Sequence, residues 1–228
     1  MIKNFLLRLK FFPHRIKSNF LKRKIKDYGK NDFNSFKELV RNKNFNSHWF
    51  LNNFLVFNYF FPENKKKFFD FLEIGSFEGM SALYVLNFFK NSKVTCVDLW
   101  DIKHINKENL EYNFDLIEKN FDQNLKDFKF KKIKDYSVKA LQELKKSNYY
   151  FDFIYIDGSH EGKAIYDDAF EAFHILRKNG LLIFDDIDIN KKDGEFTPIE
   201  AIDEILRCFK GSLQILYFKR LVFLKKII

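Results

Sequence analysis

The chain has 228 residues, 46% of them hydrophobic, which supports one sizeable core and excludes a disordered chain or two full domains. Its net charge of +9 sits at one end: residues 1–30 hold ten Lys or Arg against the single acid Asp27, so the remaining residues sum to zero. A neutral remainder has no surplus charge for phosphates and excludes a catalytic domain built around nucleic acid. Cys96 and Cys208 lie far apart and form neither a disulfide framework nor a zinc site, so a reducing, cytoplasmic compartment is expected.

The opening stretch "MIKNFLLRLKFFPHRIKSNF" begins like a secretory signal, but Arg8 and Lys10 interrupt it and no small-residue cleavage site follows. Residues 1–30 read as a basic N-terminal arm. Two roles are open to it: an arm solvated or packed on the domain, or an interfacial segment that brings Leu6, Leu7, Leu9, Phe11 and Phe12 to an anionic lipid surface at the inner face of the membrane. Residues 31–228 read as a single domain, with 31–67 a helical lid and 68–228 the core. The densest apolar run, 54–61, is too short to span a membrane. Within the lid, "NSHWF" at 46–50 suggests a cap and turn, with Trp49 and Phe50 placed to cover a cleft.

From residue 67 onward strands alternate with helices. "KFFDFLEIG" reads as a buried strand ended by glycine, "KVTCVDLW" as the second, "FKFKKIKD" as the third, "FDFIYID" as the fourth and "LLIFDD" as the fifth. The intervening helices are "GMSALYVLNFFK", a long polar one over 106–128, "SVKALQELKK" capped by Ser137, and "AIYDDAFEAFHILRK" stopped by Gly180. Such alternation predicts an α/β, Rossmann-like doubly wound sheet with its site at the carboxyl ends of the strands. The last two runs, "SLQILYF" and "LVFLKKII", are separated by only Lys219 and Arg220, which fits a hairpin and makes the last of seven strands antiparallel.

The chemistry gathers at those strand ends. "EIGSFEG" carries Glu73, Gly75 and Gly79 into a helix start, where glycines admit a ligand close to the backbone and free N–H groups offer positive potential. The spacing G-x-x-x-G is not the dinucleotide fingerprint and equally describes a tight turn. Asp98 ends the second strand, where a carboxylate accepts from a ribose diol. Asp157, Asp185 and Asp186 end strands four and five, neighbours across one cleft, and three carboxylates there repel one another unless a cation joins them. The alternative for the Asp pair is a cap on the next turn.

In order and spacing, E-x-G-x-x-x-G-x-S (Glu73, Gly75, Gly79, Ser81), Asp98, "YIDGSH", "FDD" and the closing hairpin resemble class I S-adenosylmethionine-dependent methyltransferases. The likeness is to the small-molecule O-methyltransferases that act on macrolide and aminocoumarin sugars, over about four-fifths of the chain. The resemblance implies that Glu73, Gly75, Ser76, Phe77 and Gly79 line the methionine part of S-adenosyl-L-methionine. It implies Asp98 on the ribose, Leu99 or Trp100 against the adenine, and Asp135, Tyr136 and Ser137 beside it. Asp157 also belongs to this cofactor set and, with Asp185 and Asp186, would hold a divalent cation, Mg²⁺ or Mn²⁺. His160 is the base that takes the acceptor's proton, with Asp157 as the alternative. The implied acceptor is a small-molecule or glycan hydroxyl. After His160 the likeness thins: Gly162 and Lys163 replace an aromatic common in that group, and 187–196 is a short polar loop that matches nothing. Two other functions compete: a nicotinamide-dependent oxidoreductase on a similar sheet, and a non-catalytic membrane-associated binding module.

Overall fold

The computed structural model of the chain describes residues 2–101, 113–188 and 195–228. His104, the start of the expected helix at 106–128 and most of the loop at 187–196 lie outside the described residues. Seven strands form one sheet: β1 (Asp70–Ile74), β2 (Lys93–Asp98), β3 (Lys131–Lys134), β4 (Phe151–Ile156), β5 (Leu176–Phe184), β6 (Leu213–Phe218) and β7 (Val222–Lys226). Their order is β3-β2-β1-β4-β5-β7-β6, parallel through β5, with β7 antiparallel to both β5 and β6. The strand direction reverses where the sequence leaves no room for a crossover: only residues 219–221 join β6 to β7.

Helices α4 (Met80–Phe88), α5 (Phe114–Leu125), α6 (Ser137–Lys146), α7 (Gly162–Ile175) and α8 (Pro198–Cys208) follow strands in turn. Before them come α1 (Ile2–Asp27), α2 (Lys30–Arg41), a 3-10 turn (Trp49–Asn52) and α3 (Phe54–Phe60). Both faces of the sheet carry a core. One joins α2 and α3 to α4 through Phe36, Phe54, Phe57 and Tyr84, and Phe57 meets Tyr155 of β4 at 4.9 Å between ring centroids. The other packs α6, α7 and α8 on Ile154, Leu182 and Leu224. Every residue from Met80 to Leu86 is buried, because α4 is enclosed between the sheet and the helices of the lid region.

The basic arm is a docked helix, as the packed reading of it expects. Phe11 is 1% exposed and stacks on Phe218 of β6 at 4.3 Å. The Ser18 hydroxyl donates to the His14 carbonyl and accepts from the Phe218 N–H at 2.9 Å. Lys10 and Arg15 pair with Asp203 and Asp188. The outer side of α1 exposes Leu9, Phe12 and Phe20. Among the described residues no helix is long and apolar enough to cross a membrane.

Two boundaries differ from the sequence reading. Helix α7 ends at Ile175 and β5 starts at Leu176, so Gly180 lies inside the strand and does not stop the helix; Arg177, read as helical, instead pairs with Asp70 and Asp152 at the foot of β1 and β4. At α6 the cap position is Tyr136, and Ser137 is the first helical residue, its hydroxyl bonded to Asp168 of α7.

Candidate active site

Backbone hydrogen bonds join four strand ends in series. The Gly75 N–H donates to Val97 O at 2.9 Å, Asp157 N–H to Ile74 O at 2.8 Å, and Asp185 N–H to Ile156 O at 3.2 Å. Gly75 has φ 85°, and a Cβ there would stand 2.2 Å from the Asp157 carbonyl oxygen, so this crossing requires glycine. Gly79 (φ 82°) begins α4 in the same left-handed conformation. The sheet thus gathers the ends of β1, β2, β4 and β5, with the residues they carry, into one row.

Glu73 is fully buried, with Ser81 donating to its Oε1. Its Oε2 and the Ser76 hydroxyl form no well-aligned hydrogen bond although they lie close together, and burial, partly opposed by Ser81 and Ser76, pushes the carboxyl up to about 7. Asp98, one strand over, accepts from the Phe77 N–H at 2.8 Å and the Trp100 N–H at 3.0 Å, which shapes the loop beside it. Burial raises its pKa, and those N–H groups oppose the shift. Trp100 is 2% exposed, its ring lies 4.6 Å from that of Phe121, and its Nε1 donates to Phe77 O. Leu99 is half-buried beside Asp98. Asp135 pairs with Lys139 at 2.8 Å, and its N–H donates to Asp98 O at 3.2 Å, which sets Asp135, Tyr136 and Ser137 next to the end of β2. Trp49 stacks on Phe77 at 5.4 Å above this loop, whereas Phe50 is buried in the core below.

The second half of the site is a carboxylate cluster. The Tyr155 hydroxyl lies 2.9 Å from Asp157 Oδ2 and 2.7 Å from Asp185 Oδ2, yet it has one proton to donate. Burial and the Asp185 charge raise the Asp157 pKa well above its ordinary value, and the Tyr155 hydroxyl partly opposes the shift. Asp185 also accepts from Asn53 Nδ2 at 2.5 Å and from Arg220 Nε at 3.3 Å. Asp186, at φ 52°, pairs with Arg220 at 2.9 Å, and His160 Nε2 stands 3.5 Å from its Oδ2. Among the described residues no three His, Cys, Asp or Glu side chains come close enough to hold one metal ion. A guanidinium occupies the flank of Asp185 and Asp186 where the sequence suggests a cation.

Three residues of the site escape sequence reading. Arg220 is placed by register: Phe184 opposes Val222, so the next residues of β5 face the hairpin turn. Tyr155 left a signal that sequence reading passed over, since it stands two residues before Asp157 on the same face of β4. Asn53 comes from the lid region and carries no local signal. Glu78 is a further buried carboxylate, but it serves as a strut, accepting from Asn46 N–H, Asn46 Nδ2 and Asn120 Nδ2 and so tying the lid region to α5.

A seven-stranded sheet with a reversed β7 and acidic residues at the ends of β1, β2, β4 and β5 is the α/β methyltransferase fold. The family described as "Methyltransferase domain" matches residues 72–187, and the chain belongs to that family. The nicotinamide alternative gives way to this assignment. Among solved structures, the MycE methyltransferase from the mycinamycin biosynthetic pathway, in complex with Mg, SAH and mycinamycin VI, superposes with a TM-score of 0.58 at 16% identity, over 84% of this chain and 54% of its own. The chain therefore spans about half the length of that enzyme. The O-methyltransferase from Bacillus cereus in complex with SAH superposes with a TM-score of 0.51 at 15% identity, over 69% of this chain and 73% of its own. Such identities establish a common fold. No curated protein matches the chain in sequence.

Proposed function

We propose that the chain transfers the methyl group of S-adenosylmethionine to a hydroxyl of a small molecule or saccharide, with assistance from a divalent cation. The observation that carries this reading is Glu73, a buried carboxylate with one oxygen lacking a well-aligned partner, set one strand from Asp98 and one strand from Asp157. A ligand with an ammonium group would supply a well-aligned partner for that oxygen, and the Ser76 hydroxyl beside it fits the same role. Glu73 and Ser76, with the backbone of Gly75, Phe77 and Gly79, would hold the methionine part. Asp98 would take the ribose diol through its remaining lone pairs, and Leu99, Asp135, Tyr136 and Ser137 would border the adenine. When bound, S-adenosylmethionine supplies an electrophilic methyl for in-line displacement.

His160 is placed to remove the acceptor's proton, because Asp186 at 3.5 Å stands ready to hold the charge that proton uptake puts on the ring. Asp157 is the second candidate. Arg220 pairs with Asp185 and Asp186 only, and Asp157, joined to Asp185 through the Tyr155 hydroxyl, adds carboxylate charge that a cation would offset. Asp157 and Asp185 would hold it, since their oxygens already converge on one hydroxyl, while Asp186 is engaged by Arg220. Bound there, a cation would lower the pKa of an acceptor hydroxyl. The Mg in the MycE complexes agrees with this reading.

Calorimetry tests the cofactor: S-adenosylhomocysteine should bind more tightly than NAD, and the reverse order would end the proposal. Cation dependence has its own test. Methyl transfer to a panel of hydroxyl acceptors should stop with a chelator and return with Mg²⁺ or Mn²⁺, and turnover indifferent to the chelator would remove the cation from the mechanism.

A further inference from the structure

Beside the carboxylate cluster lies a cavity of about 660 Å³ between α1, the start of α3 and the β6–β7 turn. That volume suits a ligand of nucleotide or disaccharide size. Its charged lining is one-sided: Arg8, Arg15, Lys22, Lys219 and Arg220 against the single acid Asp188, which is taken by Arg15. Lys219 is held below the usual lysine range by burial and by the nearby Lys22 and Arg15, partly opposed by Asp188, so these cations crowd one another. The cavity adjoins the proposed site through two shared residues. Asn53 lines it and donates to Asp185, and Arg220 lines it and pairs with Asp185 and Asp186. Apolar side chains, Phe12 and Val56, complete the wall and offer a surface to a carbon skeleton.

We infer that this cavity binds the methyl acceptor, and that the acceptor carries a phosphate or diphosphate group, held by the cations of α1 and the hairpin while its hydroxyl reaches the carboxylate cluster. The inference rests on the methyltransferase reading for calling the ligand the acceptor and for the place of its hydroxyl, whereas the binding of a phosphate group in the cavity does not depend on that reading. Guanidinium and ammonium groups clustered around a cavity match phosphate oxygens in number and geometry. Helix α1 thereby becomes part of the site, and the sequence's charged end acquires a reason to be docked there.

The test is calorimetric titration of inorganic pyrophosphate into the full chain, alone and saturated with S-adenosylhomocysteine, and into the double variant Lys22→Gln/Lys219→Met. Pyrophosphate should bind with or without S-adenosylhomocysteine, and the double variant should bind it at least roughly tenfold more weakly, as expected from losing two charge-assisted contacts. Its affinity for S-adenosylhomocysteine should stay unchanged, and its thermal midpoint should not fall, because neutral side chains relieve the crowding at Lys219. No pyrophosphate binding, or equal binding by parent and variant, would overturn the inference whatever the cofactor titration gives. Failure to bind S-adenosylhomocysteine alone would instead overturn the methyltransferase reading. Phosphatidylcholine vesicles with and without phosphatidic acid separate the sources: sedimentation with the acidic vesicles that is lost in the variant assigns a lipid-borne phosphate, and pyrophosphate binding without sedimentation assigns a soluble one.

Discussion

At the scale of single residues the site is built from carboxylates in unlike surroundings. Glu73 is enclosed, with one oxygen lacking a well-aligned partner, and is held up to about 7, whereas Asp185 is equally enclosed but receives Tyr155, Asn53 and Arg220. Glu73 therefore changes charge near neutrality. If it receives the ammonium of the cofactor, S-adenosylhomocysteine should bind more tightly as pH rises from 6 to 8, with the steepest change around the Glu73 pKa. Glu73→Gln should bind at least about tenfold more weakly at pH 8, the scale of one charged hydrogen bond, and should lose most of that pH dependence. A variant with the parent's pH profile would take Glu73 out of cofactor recognition. Glu73, Asp98 and Asp157 were legible because each is the last acid of an apolar strand. Arg220 and Asn53 were not, since their relevance depends on a hairpin register and on a helix start far from the strands in sequence.

At the scale of elements, α1 and the β6–β7 hairpin form one unit. The Phe11 ring on Phe218 and the Ser18 hydroxyl on the Phe218 N–H give the helix an apolar and a polar attachment to the same residue. Phe11→Ala should cost about 3 kcal/mol of unfolding free energy, the usual loss for a fully buried ring. Ser18→Ala should cost about 1–2 kcal/mol by leaving a buried N–H unmet. Urea denaturation measures both, and a loss of under about 0.5 kcal/mol for Phe11→Ala would mean that α1 leaves the sheet easily. The docking of this helix was only half legible: Arg8 and Lys10 excluded a signal, but Phe11 and Phe12 look alike in sequence, and only the partner strand decides which is buried and which exposed. The boundary of α7 with β5 was misread for a related reason. Gly180 looks like a helix stop, while the true end at Ile175 is fixed by β5 pairing with β4 from Leu176 onward.

At the scale of the whole molecule, two buried carboxyls make stability depend on pH in an unusual direction. Asp168, 3% exposed between α7 and α6, is raised to about 7 by burial, partly opposed by Ser137, and Glu73 reaches a similar value. Unfolded Asp and Glu titrate near ~4, so between roughly 4 and 7 the folded state holds more protons than the unfolded one. Their contribution is fully present below about 4 and is lost as pH rises toward 7. Asp168→Asn should flatten this decline and should raise stability at pH 8 by about 1–3 kcal/mol relative to the parent. An unchanged difference between parent and variant from pH 5 to pH 8 would refute it. The fold as a whole was the most legible level. Alternating apolar strands and amphipathic helices dictate a parallel sheet, and a turn too short for a crossover dictates the reversed final strand.

The uneven charge has a further consequence once α1 is fixed on the side of β6. A body of zero net charge that carries a cationic rod on one flank is an electric dipole. Such a molecule turns before it touches: near any anionic surface the torque presents α1 first. At physiological salt that torque is confined to about 8 Å, close to one helix diameter, and so acts only in the last moments of approach. The mouth of the cavity beside α1 then meets the incoming anion already facing it.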